Sequence, residues 1–203
     1  MISLKRTNLL FLISLAFLLS SCVSKNVIFY VPKDLPAKVA EANKSVCSYK
    51  GRVSVIYNDG HDDIRFKGYL DKDCEDNFRL KILGLFGSVA YDISYMDGQV
   101  KAFEKGEDVS SEMAYFMRSK GLGNMISLIR YPHVKIDDSF KVHAEGDEYI
   151  LTRGIVTAAA GGDYLLRRIS FGEAEKITYG YTDGKLSELT YVDGGTKVEI
   201  SLR

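Results

Sequence analysis

The side chains of this 203-residue sequence that could carry chemistry are few, and they form no recognised catalytic set. His61 precedes Asp62 and Asp63 in a stretch of turn composition, where charged side chains are normally solvated, while His133 and His143 stand ten positions apart. The sequence has no Gly-x-Ser-x-Gly elbow, no Walker-type run and no three-glycine dinucleotide fingerprint. It therefore predicts a protein that is not an enzyme, with no catalytic residue, no metal site and no cofactor.

Composition limits the choice of partner. The chain carries 27 basic and 27 acidic residues, and 46% of its residues are hydrophobic. This is the composition of a packed globule, and the length suits one domain. The absence of net charge argues against nucleic acid as a partner, because binding to phosphates requires a basic field. We expect a monomer.

The first residues have the order of a secretory signal. Lys5 and Arg6 precede an apolar run of 11 residues at 9–19, which is too short to cross a bilayer as a permanent helix. The run ends in Leu19-Ser20-Ser21-Cys22, which resembles the bacterial lipobox. That resemblance implies removal of residues 1–21 and acylation of Cys22, whereas an ordinary signal peptide with a chance cysteine is the alternative.

Acylation at Cys22 would make the mature protein a tethered domain, since two or three acyl chains together anchor a protein stably. Residues 22–34 would form the lipidated N-terminus and tether, and 35–203 the folded domain. Val23 stands where an Asp would resemble the inner-membrane retention signal of proteobacterial lipoproteins. The expected location is therefore the outer membrane of a Gram-negative bacterium, facing the periplasm.

The elements that follow change from a helical to a strand period. Val39, Ala42 and Val46 predict a helix over about 35–48, with Gly51 ending it. Alternating apolar and polar residues then predict eleven antiparallel strands, at about 51–57, 63–71, 77–84, 88–95, 99–104, 139–146, 148–153, 164–171, 174–182, 185–192 and 195–202. Because strand twist accumulates, so wide a sheet should curl into a barrel or half-barrel filled by helices, a ligand or both.

A helical segment at about 110–130 interrupts the strands, with Gly121 and Gly123 dividing it. An apolar stripe along this segment is either ordinary core or a movable, Met-rich cover over a lipid-sized cavity. Its members are Met113, Phe116, Met117, Met125, Ile126 and Ile129.

Three further features each leave two interpretations open. The turn at 84–87 places Leu85 and Phe86 between two glycines, so it either enters a membrane or folds back as a core plug. The small-residue connection at 154–162 either lines a cavity mouth or forms a short buried helix. Cys47 and Cys74 either form a disulfide, which the oxidising compartment permits, or remain two thiols at one end of the sheet.

Several of these stretches resemble LolB-like outer-membrane lipoproteins of the LolA/LolB lipoprotein-localisation superfamily. The resemblance rests on Gly51-Arg52-Val53-Ser54-Val55, Phe66-Lys67-Gly68-Tyr69 and the run from Phe78 to Ser88, and extends loosely over 35–203. It implies a mainly β fold, an unclosed antiparallel half-barrel of about eleven strands with a helical lid. It also implies an apolar cavity for lipid acyl chains or lipoproteins, a periplasmic LolA-like carrier as a partner, and membrane insertion of the turn bearing Leu85 and Phe86.

The expected function is thus that of an outer-membrane-anchored lipoprotein that binds acyl chains and helps to receive and insert lipoproteins. Two alternatives remain on the same fold. One is a structural or envelope-assembly lipoprotein whose interior is filled by its own side chains, and the other is a carrier of another lipid.

Overall fold

A computed structural model describes residues 30–75, 77–119 and 129–203. The predicted signal peptide, Cys22, Gly121, Gly123, Met125 and Ile126 lie outside the described residues, as does the side chain of Met117. Two α-helices are described, α1 (Leu35–Lys44) and α2 (Ser110–Ser119). The strands of the described ranges are β1 (Tyr49–Asn58), β2 (Asp63–Lys72), β3 (Phe78–Leu83), β4 (Val89–Met96), β5 (Gln99–Glu104), β6 (Glu107–Asp108), β7 (Lys141–Glu145), β8 (Glu148–Arg153), β9 (Val156–Ala160), β10 (Leu166–Phe171), β11 (Glu175–Thr182), β12 (Lys185–Asp193) and β13 (Thr196–Leu202).

All these strands join one antiparallel sheet, in the order β6-β5-β4-β3-β2-β1-β13-β12-β11-β10-β9-β8-β7. The two edge strands, β6 and β7, do not pair, so the sheet stays open. The first and last strands meet in its middle, where Val55 lies opposite Ile200. The predicted fold class, a mainly β, unclosed antiparallel half-barrel with helices over it, is confirmed.

The strand count and one helix end differ from prediction. The described sheet has thirteen strands instead of eleven, because the two-residue β6 and the alanine-rich β9 were not expected. Neither interpretation of the 154–162 connection was right, since Val156–Ala160 is a strand between β8 and β10. Helix α1 ends at Lys44 instead of near Ser48, and Gly51 belongs to β1.

One face of the sheet, which we call the inner face, carries alternate side chains such as Val55, Ile177 and Ile200. Over β8–β13 this face is closely packed. Leu35 and Val39 of α1 cover it together with Tyr131, Ile136 and Phe140 from the segment before β7. The chain thus fills this half of its interior with its own side chains, and we call it the filled half.

A buried amide joins α1 to the filled half. The Asn43 side chain donates to the carbonyl oxygens of Val39 at 2.6 Å and Tyr164 at 3.1 Å, and it accepts from the Leu166 amide at 3.1 Å. The Tyr131 hydroxyl also donates to it. Since a buried polar group is costly unless it is hydrogen-bonded, these partners make Asn43 compatible with its almost complete burial.

In the described part of the chain, no helix has both the length and the hydropathy that crossing a membrane requires.

Candidate functional site

The inner face of β1–β5 lines an open cavity of about 560 Å³. This lies within the 300–1,000 Å³ range typical of small-molecule sites. Strands β1–β5 form one side of the cavity and α2 the other. The lining residues are Tyr57, Ile64, Phe66, Phe78, Leu80, Ile82, Tyr91, Ile93, Val100, Glu104, Val109, Glu112, Met113, Phe116 and Ile129.

Strand alternation makes this wall apolar. Leu80 of β3 lies opposite Ile93 of β4, and both side chains face the cavity. Arg79 and Asp92, one position away, point to the outer face, where the guanidinium donates two hydrogen bonds of 2.5 and 2.7 Å to the carboxylate. That pairing lowers the pKa of Asp92 below its ordinary value. The period of two therefore separates the apolar lining from the charged outer surface.

Helix α2 is held over the cavity by its first turn. The Val109 amide donates to the Ala102 carbonyl at 2.9 Å, and the Ala102 amide donates to the Ser110 hydroxyl at 3.0 Å. These bonds anchor the start of the helix to the middle of β5. Met113 and Phe116 then line the cavity, although Phe116 stays 41% exposed and does not plug it.

The structure brings three of the predicted cover residues to this site. Met113, Phe116 and Ile129 all line the cavity. Met125, Ile126 and the side chain of Met117 belong to the part of the chain that is not described. Sequence reasoning did not single out Glu104 and Glu112, two carboxylates in the same wall. The inward phase of β5 could have indicated Glu104, because it shares the parity of Val100 and Ala102.

The turn between β3 and β4 carries two exposed apolar side chains. Leu85 is 83% exposed and Phe86 is fully exposed, so neither side chain folds back as a core plug. The Gly84 amide donates to the Ser88 carbonyl at 2.8 Å and closes the loop. Ile155, also 74% exposed, occupies the β8–β9 turn at the same end of the sheet.

The cavity reaches toward this same end. Ile82 and Tyr91, which lie opposite each other near the β3–β4 turn, are both lining residues. Exposed apolar side chains on a turn are unusual, because turns are normally polar. The exposed apolar turn therefore lies at the same end of the sheet as one end of the apolar cavity.

Burial opposes the ionisation of four tyrosines. Tyr131, Tyr179 and Tyr181 belong to the filled half, and Tyr57 of β1 lies at its border with the cavity. Burial raises the pKa of Tyr57 to about 12 and that of Tyr181 to about 12, and it raises the pKa of Tyr131 and Tyr179 still further. The Tyr181 hydroxyl lies 2.5 Å from that of Tyr131 and donates to the Leu166 carbonyl at 2.6 Å. These are properties of a neutral, hydrogen-bonded core.

Cys47 and Cys74 are joined by a disulfide with a Cα–Cα distance of 5.0 Å. Cys47 follows α1 and is buried, while Cys74 lies in the exposed turn between β2 and β3. The bond therefore connects the helix of the filled half to the strands that line the cavity.

The histidines lie apart from the cavity and from one another. The His133 ring contacts that of Phe171 at a centroid distance of 5.5 Å, and His143 on β7 lies 4.0 Å from the Glu145 carboxylate. His61 lies in the β1–β2 turn. Within the described ranges, no three His, Cys, Asp or Glu side chains are grouped so that they could hold a metal ion.

Comparison with solved structures shows that the fold is known. The chain is similar to a LolA superfamily protein from Nitrosomonas europaea, with a TM-score of 0.53 and 11% identity over 86% of this chain and 92% of that one. A DUF1329 family protein from Desulfovibrio piger gives 0.47, with 15% identity over 84% and 89% of the two chains. A domain from Vibrio parahaemolyticus described as an outer membrane lipoprotein-sorting protein gives 0.43, with 9% identity over 83% and 88%.

No protein-family model and no curated protein matches the sequence. At these identities the similarity to the Nitrosomonas europaea protein shows the fold alone.

Proposed function

We propose that the chain is a lipid-anchored carrier that binds acyl chains in the cavity under α2 and passes them to a membrane. The observation that carries the proposal is that the inner face of β1–β5 is left hollow while that of β8–β13 is filled. An apolar ligand covers walls that the chain itself leaves uncovered. Its binding is therefore stabilised by roughly 25 cal/mol per Å² of buried apolar surface.

The proposed location follows from the N-terminal sequence. Acylation of Cys22 would hold the domain at the outer membrane, facing the periplasm, with residues 22–34 as its tether. The cargo would be the acyl chains of lipoproteins, received from a periplasmic carrier of the same fold. The LolA superfamily assignment of one similar structure supports a cargo of this kind.

Delivery would use the apolar turn. Leu85 and Phe86 would enter the bilayer beside the end of the cavity, so that an acyl chain could move from one apolar environment to the other, and the exposure of both side chains supports this role. Such exchange is driven by apolar burial at both ends and needs no chemical step. In this proposal the chain is not an enzyme and acts as a monomer.

The experiment is transfer of a fluorescent-labelled lipoprotein from its carrier to liposomes, with variants that separate binding from delivery. Val100→Trp should fill the cavity and abolish binding of an alkyl probe, whereas Lys101→Trp, on the opposite face of β5, should leave binding unchanged. Leu85→Glu should preserve probe binding but block delivery to liposomes, because a carboxylate opposes insertion.

Met96→Glu provides the control for the turn variant. Met96 is also an exposed apolar residue, but it lies at the opposite end of β4. Transfer unchanged by Leu85→Glu would contradict insertion of the turn. A purified protein that binds no alkyl probe in any form would contradict the carrier function and favour a structural lipoprotein.

A further inference from the structure

Two carboxylates interrupt the apolar wall of the cavity. Glu104 is the last residue of β5, and Glu112 lies in the first turn of α2. Both line the cavity, and the other thirteen lining residues are apolar or aromatic. A charge in such a wall is costly when the cavity is occupied, unless the ligand supplies a partner.

The two glutamates flank the place where α2 joins β5, on one side of the cavity. The bonds from Val109 and Ser110 to Ala102 fix the start of α2 beside the middle of β5. Glu104 lies two positions beyond Ala102, on the same side of the strand, and Glu112 comes within one helical turn of Val109. Across β4, Tyr91 lies opposite Glu104 and also lines the cavity.

Neither carboxylate is neutralised by a residue that the structure describes, because over 30–75, 77–119 and 129–203 neither takes part in an ion pair or a side-chain hydrogen bond. Glu104 is half-buried, and Glu112 is exposed at the rim. The cavity thus has a mostly apolar wall, with its two carboxylates on the side where α2 joins β5. That polarity matches an amphiphile with an apolar chain and a positively charged head.

We infer that the preferred ligand of this cavity is an alkyl or acyl chain whose polar end carries a protonated amine, an inference that rests on the proposed function. The ammonium lies between Glu104 and Glu112 while the chain occupies the space lined by Leu80, Ile93 and Met113. A chain ending in a carboxylate is disfavoured, because its head repels the same two residues. The amine could come from a phospholipid head group or from the free amino terminus of a diacylated peptide.

The test compares three ligands of equal chain length, dodecylamine, dodecanol and dodecanoate, in displacing a fluorescent alkyl probe. For ion pairs near a protein surface, we expect the amine to bind about fivefold more tightly than the alcohol, and the carboxylate more weakly than both. In the double variant Glu104→Gln/Glu112→Gln these differences should disappear. Glu107→Gln, in exposed β6 outside the lining, should retain them.

The outcomes distinguish this inference from the proposed function. If the three ligands bind with equal affinity, or if the double variant keeps the preference for the amine, the selectivity is overturned while the carrier function stands. If the alkyl probe itself does not bind, both fail. A second set of ligands identifies the source of the amine. Preference for a diacylated peptide over its N-acetylated form indicates an amino terminus, and preference for phosphatidylethanolamine over phosphatidylglycerol indicates a head group.

Discussion

Buried tyrosines connect the elements of the filled half through their hydroxyl groups and rings. Tyr131 links Asn43 of α1 to Tyr181 of β11, and its ring meets that of Tyr179 edge to face at a centroid distance of 5.0 Å. Each ring contributes a large apolar area, and the hydroxyls of Tyr131 and Tyr181 find partners in the core. The neutral form of these hydroxyls is therefore part of the folded state.

We predict that stability falls as the pH rises from 10 to 12, the interval between the ordinary tyrosine pKa and the pKa of Tyr57 and Tyr181. In that interval the unfolded chain loses phenolic protons that the folded chain retains. The unfolded state then binds fewer protons, so the free energy of unfolding decreases with pH. Urea unfolding at successive pH values measures the slope.

Tyrosinate absorbance gives an independent reading, because the chain contains 13 tyrosines and no tryptophan. In Tyr181→Phe the alkaline loss of stability should be smaller than in the parent. A stability that is constant from pH 10 to 12 would show that the buried hydroxyls are not maintained in the neutral form.

At the scale of elements, the close spacing of β2 and β3 depends on the glycine at position 68. A Cβ added at Gly68 would lie 2.6 Å from the Lys81 carbonyl oxygen and 3.2 Å from the Leu80 side chain. Gly68 is buried and pairs with Ile82, so β3 has little room to withdraw. Leu80 thereby keeps its place in the cavity wall.

Gly68→Ala should destabilise the protein by about 1–3 kcal/mol, the usual cost of overpacking. Gly162→Ala is the matched control, because nothing lies within 4 Å of the added carbon and its backbone is not left-handed. We expect that control to change stability by less than about 0.5 kcal/mol. Denaturant unfolding of both variants is the measurement, and equal stabilities would contradict the tight contact.

The elements differ in how far the sequence predicts them. Strands such as β4 and β13 alternate apolar and polar residues because one face turns to the interior and the other to the outside, and their positions were predicted closely. In β9 the alternation is lost, since Ala158, Ala159 and Ala160 are all buried, and alanine has little strand preference. No local pattern marks such a strand, because its pairing with β8 and β10 determines it.

The cavity is predictable only in part for a similar reason. The inward phase of β3 and β4 and the stripe of α2 identify most of its wall. To place Glu104 and Glu112 in the same wall, one must know that the start of α2 bonds to Ala102, which is a tertiary contact. Likewise, the sequence predicts an interior filled by helices, by a ligand or by both. It does not predict which half is filled and which is hollow, because that depends on where α1 packs.

For the molecule as a whole, that division predicts uneven protection of the backbone. Amides in β10–β13, which lie under α1 and Tyr131, should exchange with solvent more slowly than amides in β3–β5, because local opening costs less where fewer apolar contacts are made. Hydrogen exchange followed by mass spectrometry measures this. Adding dodecylamine should slow exchange in β3–β5 and α2 alone.

The comparison carries its own control, because the two regions belong to one sheet and are joined through β1 and β13. Equal exchange in both regions of the free protein would contradict the difference in packing. Slowing confined to β10–β13 would place the ligand elsewhere than the cavity under α2.

The division also bears on how such a protein can change over generations. The contacts of α1, Asn43 and the tyrosines stabilise the fold from one side of the sheet. Mutations on the other side should therefore affect mainly ligand binding, and less the stability of the fold. On the proposed function, a change of cargo would require only a few altered side chains, such as Val100 or Met113, while the rest of the fold stayed the same.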